Sequence, residues 1–163
     1  MASVDDVVAA ILEITGHVDT FKLQKLVYYC QAWHLVWVGE PLFPEPIQAW
    51  AGGPVVPALY ERHRGRYSIS EWPEGNSSEL VESERGTVSS VVNAYQKLSG
   101  RQLSQLTHSE EPWLVARGTL GPGARGSSVI EPGSMQEYYS GIDQDPGATL
   151  VEDLVPAEAD EPF

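Results

Sequence analysis

A single cysteine, Cys30, in 163 residues excludes an intramolecular disulfide framework and denies a thiolate zinc site its usual partners. Cys30 sits in an apolar helical run, so it reads as a small buried hydrophobe rather than a reactive thiol. The four histidines, His17, His34, His63 and His108, show no close ligand spacing, and no metal or other cofactor is expected. The dinucleotide fingerprint, the P-loop and the nucleophile elbow are all missing. The stretch from Gly121 to Gly126 superficially resembles a phosphate loop, but it lacks the Lys-Ser/Thr ending and a preceding buried strand, and it reads as a flexible loop. No apolar run is long enough to cross a bilayer, and Met1 to Asp6 carries no basic segment before its short apolar stretch; a soluble, cytoplasmic protein is expected.

Positive charge is scarce as well. Ten Lys and Arg face 23 Asp and Glu, a formal charge of −13 that repels phosphate backbones and makes nucleic acid an unfavourable partner. The acidity serves either a basic protein partner or solubility. Seven acidic residues, no basic ones and three prolines fall after Ile142. This composition predicts one domain over 1–141 and a flexible acidic tail over 142–163, with the tail able to add affinity by ordering against a basic groove.

What remains is 42% hydrophobic and arranged in helical periods. Val4, Val7, Val8, Ile11 and Leu12 share a face, with Gly16 as the stop. Asp19 or Thr20 caps a central helix running to Trp37, whose Leu23, Leu26, Val27, Cys30, Trp33, Val36 and Trp37 cover more than one stripe. Ile47 to Trp50 reads as a strand, and a helix begins at Pro54 or Pro57 and ends near Gly65. Tyr67 to Glu84 reads as a variable surface connection, and Glu84 to Leu98 as a core helix. Arg101 to Leu106 reads as a turn leading to a helix capped by Thr107 or Ser109, Ser128 to Ile130 as extended, and Pro132 to Tyr139 as a last helix. The expected fold is mainly α (α+β), a compact helical domain around a central hydrophobic helix with a short strand or hairpin element.

Two groups invite a chemical reading. His108 with Glu110 and Glu111 could host acid–base chemistry, but Thr107, Ser109 and the acids also suit a helix entrance anchored by Trp113, and architecture is the simpler account. His34 with Glu40 is open to the same objection. The cluster Arg62, His63, Arg64 and Arg66 stands out against the acidic background and reads as a solvated helix end more readily than as an anion site. Trp33 is expected inside, whereas Trp37, Tyr60 and Trp72, with Arg62 and Arg64, are candidates for a partner-contact patch.

Three tracts occur in order: Lys22-Leu23-Gln24-Lys25-Leu26-Val27-Tyr28-Tyr29, then Gly52-Gly53-Pro54 running on to Tyr60, then Leu106-Thr107-His108-Ser109-Glu110-Glu111-Pro112-Trp113. Together they resemble the Panacea domain of SocA-like and phage-associated antitoxins, over roughly residues 5 to 140. The family pattern falls on Leu23, Gln24, Lys25, Leu26, Tyr28, Tyr29, Gly53, Pro54, Tyr60, Thr107, His108, Glu110, Pro112 and Trp113, mostly as scaffold. The resemblance implies a non-enzymatic antitoxin of a bacterial, prophage or phage toxin–antitoxin system. Such a protein neutralises a cognate protein toxin, encoded by the adjacent gene, through direct binding. It also leaves open a proteolytic adaptor that delivers the toxin to a Clp-type protease; a small hydrolase using His108 and Glu110 is the remaining alternative.

Overall fold

The computed structural model describes residues 1–144 and 163. Helix α1, Val4–Thr15, is opened by Ser3, whose hydroxyl accepts from the Asp6 amide while the Asp6 carboxylate accepts from the Ser3 amide. A short strand β1, Val18–Asp19, leads into α2, Thr20–Trp37, capped by the Asp19 carboxylate on the Lys22 amide. Buried positions run along all sides of α2 from Leu23 to Leu35, because α1, α4, α5 and α7 pack around it. This is the fold expected: mainly helical, with small antiparallel strand elements and a central buried helix.

Strands β2, Gln48–Trp50, and β3, Gly53–Val55, form a hairpin that pairs Gln48 with Val55, Ala49 with Pro54 and Trp50 with Gly53. Ser128 to Ile130 lies along its other edge: the Ala49 amide donates to the Ser128 carbonyl and the Ile130 amide to the Ile47 carbonyl. Helix α3, Pro57–His63, follows with proline in its first turn, where a missing N–H leaves no gap in the hydrogen-bond ladder.

The segment from Tyr67 to Glu84 is more ordered than its composition suggests. β4, Ser68–Ile69, pairs with β1, and a 3-10 turn, Ser77–Glu79, packs on α1. The Asp5 carboxylate accepts from the Trp72 indole at 2.9 Å, and the Asp6 carboxylate from the Asn76 amide at 2.9 Å. At Gly75 the backbone comes so close that a Cβ would sit 1.9 Å from the Asp5 carbonyl oxygen. A segment held by polar side chains of a distant helix leaves no hydrophobic period to read.

Helix α4, Glu82–Tyr95, buries Val88, Val91, Val92 and Tyr95. Arg101 to Leu106 is helix and not a turn: α5, Gly100–His108, begins at a reciprocal cap in which Ser99 Oγ accepts from the Gln102 amide and Gln102 Oε1 accepts from the Ser99 amide. Thr107 and His108 therefore close α5 instead of opening the next helix. Helix α6, Glu111–Arg117, starts after Glu110 without a side-chain cap, since that carboxylate turns inward. Helix α7, Pro132–Gln144, packs on α2 and continues past residue 141; the tail expected beyond it lies, over 145–162, outside the described residues. Among the described residues, no helix is long and apolar enough to cross a membrane.

Candidate partner-binding site

The central helix sends its motif residues into two buried clusters. Tyr28 and Tyr29 point toward α7 and the start of α6. The Tyr29 hydroxyl donates to Glu110 Oε1 at 2.7 Å and the Tyr139 hydroxyl to the same oxygen at 2.8 Å, while Tyr28 and Tyr139 share a hydroxyl contact at 3.0 Å. Tyr95 stacks on Tyr29 with ring centroids 4.3 Å apart and accepts from the Trp33 indole at 2.9 Å. Burial lifts the Glu110 carboxyl to about 7, with the two tyrosine hydroxyls pulling it back toward the ionised form. The His108 ring stacks on Trp113, with centroids 4.0 Å apart.

Gln24 and Lys25 face the other way, toward the hairpin and α3. Gln24 Oε1 accepts from the Val56 amide at 2.9 Å, which fixes the orientation of its amide group. Gln24 Nε2 then donates, at 3.4 Å to the Val56 carbonyl and at 3.0 Å to His63 Nε2. His63 must accept through that nitrogen, so it is neutral, in keeping with a pKa that burial lowers to about 4. Lys25 is fully buried, with its ammonium 3.9 Å from the Phe21 ring centroid. Gly53 makes room for it. Its φ of +125° lies in the region that favours glycine, and a Cβ there would stand 2.6 Å from Lys25 Cε and 3.2 Å from Thr107 Oγ1. Thr107 donates to the Ser104 carbonyl, and Ser104 to the Gly52 carbonyl, which ties α5 to the hairpin turn. The three sequence tracts thus meet at one place.

Above this buried layer, Tyr60 packs edge-on against Trp50 at 4.9 Å and against His63 at 5.4 Å. The two aromatics border an open cleft of about 600 Å³ whose charged walls are Arg64, Glu61 and Arg125 and whose floor includes Gly123, Gly126 and Phe163. The glycine-rich wall is held in shape by Arg117. Its buried guanidinium donates to the carbonyls of Ala49, Gly121 and Ala124 at 3.3, 3.0 and 2.8 Å, and lies over the Trp113 ring. A segment expected to be a flexible loop is therefore pinned by a side chain outside it.

The remaining site candidates scatter. Leu23 and Leu26 are core, Pro54 is buried in β3, and Pro112 lies in the first turn of α6. Trp72, expected in a contact patch, is 5% exposed and bonded to Asp5; the order imposed on its segment by α1 draws it inward. Arg62 is an ion-pair partner of Asp5 at 3.2 Å, Arg66 lies over Trp72, and His63 is buried, so the expected basic cluster is dispersed and only Arg64 reaches the cleft. Trp37 is exposed and stacked on Trp33, but it lies twelve helical positions beyond Lys25, about 18 Å along α2. It does not share a surface with Tyr60. Trp50 belongs to the dense aromatic set of Tyr28, Tyr29, Trp33 and Trp37 that the sequence offers as interface anchors, whereas Phe21, Arg117, Tyr139 and Phe163 are not marked by it; Arg117 and Tyr139 have no local pattern to reveal them.

These features define a mainly α domain whose motif residues support the hairpin and the α2–α3 surface beneath an aromatic cleft. Among the described residues, no group of three or more His, Cys, Asp and Glu is placed to hold a metal ion. The family model described as antitoxin SocA-like, Panacea domain, matches residues 23–114, more than half of the chain, and the protein belongs to that family. No curated protein and no solved structure matches it.

Proposed function

We propose that this protein is an antitoxin that neutralises a cognate protein toxin by direct binding, and that the toxin docks over the Trp50–Tyr60 cleft. Membership of an antitoxin family is the observation that carries the reading. The cleft suits it for physical reasons. Aromatic rings and an arginine are the groups that contribute most to interface energy, and here both sit on a backbone already fixed by Gln24, Gly53 and Arg117, so little ordering cost remains at binding. The net charge of −13 favours encounter with a basic toxin and accelerates it at low salt.

The buried placement of Glu110 and the stacking of His108 on Trp113 suit scaffolding, and a binding role accounts for them without catalysis. The test is co-expression with the product of the neighbouring open reading frame, scored by growth and by size exclusion. Growth rescue with co-elution as one species is the expected result. Rescue without a stable complex would transfer the role to an adaptor that removes the toxin by proteolysis, and a harmless neighbour would remove the toxin from the scheme.

A further inference from the structure

Phe163 is separated by 18 residues from the end of α7, yet its ring lies among side chains from two other helices. Ring centroids are 5.0 Å from Phe21 on α2, 5.5 Å from Tyr60 on α3 and 5.7 Å from His63 on α3. The Lys25 ammonium stands 5.3 Å from its centroid and 3.9 Å from that of Phe21, so the two phenylalanines lie around one buried cation. Edge-to-face contacts at these separations are the favoured geometry for aromatic pairs, and an ammonium within 6 Å of a ring centroid is attracted to its face. The surroundings are rigid: Gln24 holds His63, and Gly53 fixes the space for Lys25. Phe163 is only partly buried and also borders the open cleft beside Tyr60 and Trp50, so its position can be reached from solvent.

We propose that the hollow formed by Phe21, Lys25, Tyr60 and His63 is a receptor for a single aromatic side chain, which Phe163 fills in cis and an aromatic residue of the bound toxin fills in the complex. The first half stands on the geometry alone; the second rests on the function proposed above. The cation selects the ligand. An aliphatic side chain of similar size would fill the volume but offer no π face to the Lys25 ammonium. A partner that brings such a residue competes with Phe163, so Phe163 sets a threshold that weak or incorrect partners do not cross.

The probe is N-acetyl-phenylalaninamide, titrated into the full chain and into Phe163→Ala while the Tyr60 and His63 ring resonances are followed by NMR, with N-acetyl-leucinamide as control. Saturable shifts are expected in Phe163→Ala, with binding about fivefold weaker in the unaltered chain and about fivefold weaker for the leucine compound, the scale of an aromatic-pair or exposed cation–π contribution. Adding Tyr60→Ser to Phe163→Ala should abolish the shifts at His63. Absence of saturable shifts in Phe163→Ala, equal affinity for the two compounds, or unchanged binding in the double variant would each overturn the receptor. No toxin enters this titration, so its failure is distinct from failure of the antitoxin reading. With a toxin in hand, Phe163→Ala should bind it more tightly, and weaker binding would overturn the competition.

Discussion

Tyr29 and Glu110, 81 positions apart, are joined by a 2.7 Å hydrogen bond from the phenol to a carboxylate that α6 would otherwise use at its own entrance. The bond, with that from Tyr139, ties α2, α6 and α7 at one oxygen. It also gives the fold a pH dependence. Burial holds the Glu110 carboxyl at about 7, above its ordinary 4.5, so the folded state favours the uncharged form. That contribution is complete below about 4.5 and is lost as pH rises through about 7. At about 1.4 kcal/mol per unit, the loss is about 3 kcal/mol. His63 acts with the opposite sign: its lowered value makes its contribution complete above the ordinary 6.5 and lost as pH falls through about 4. Between pH 4.5 and 6.5 the two contributions oppose each other in the unaltered chain, so thermal unfolding from pH 4 to 8 should show Glu110→Gln losing stability toward acid more steeply than the unaltered chain and gaining on it toward pH 7. Parallel curves for the two proteins would contradict this account.

Gly53→Ala should destabilise the protein by more than about 2 kcal/mol, because it combines an unfavourable φ with a Cβ 2.6 Å from Lys25 Cε. Gly133→Ala is the matched comparison. It lies in α7 with ordinary φ and nothing within 4 Å of the new Cβ, so it should be neutral or stabilising by up to about 1 kcal/mol. Urea unfolding of both variants checks the pair; equal midpoints would mean that the hairpin tolerates the added carbon.

Arg117→Lys keeps the charge but loses the fork that reaches three carbonyls, at Ala49, Gly121 and Ala124. The expected loss is about 2 to 3 kcal/mol, since charge-assisted bonds contribute more than neutral ones and a buried acceptor without a donor is costly. The local consequence should appear first. Limited proteolysis should cut between Gly118 and Gly126 in the variant under conditions that leave the unaltered chain intact, and equal resistance would show that the loop does not depend on Arg117.

The helical half of this fold was legible because its determinants are local. Ser3, Asp19, Gly16 and the spacing of Val88, Val91, Val92 and Tyr95 state where α1, α2 and α4 lie. The box formed by Ser99 and Gln102 was an equally local sign of α5, masked by Gly100 between them, which reads as the stop of the preceding helix. Non-local determinants were not legible. Trp72 is inside because Asp5 and Asp6, some 70 positions earlier, bond to its segment; Arg117 orders a loop through its carbonyls; and Glu110 answers to Tyr29 and Tyr139 instead of to its own helix. For the site, most of the motif residues lie in the buried layer, but the surface above it depends on which side chains meet, and Trp37 and Tyr60 do not.

That separation gives the sharpest prediction for binding. Tyr60 and Arg64 line the cleft proposed as the toxin contact, whereas Trp37 occupies the far end of α2. Tyr60→Ser should weaken toxin binding by about 2 kcal/mol, the scale of a buried aromatic anchor, which is a loss of about thirtyfold. Arg64 forms only a 3.8 Å surface pair with Glu61, so Arg64→Glu disturbs little within the protein; it should nevertheless weaken the complex by speeding dissociation, because the guanidinium contacts are lost, while the added negative charge does not slow encounter with a basic toxin. Trp37→Ser removes an exposed ring of similar size and should leave affinity unchanged. Surface plasmon resonance with the co-purified toxin separates the cases. Loss of binding in Trp37→Ser with retention in Tyr60→Ser would move the interface to the other end of the central helix.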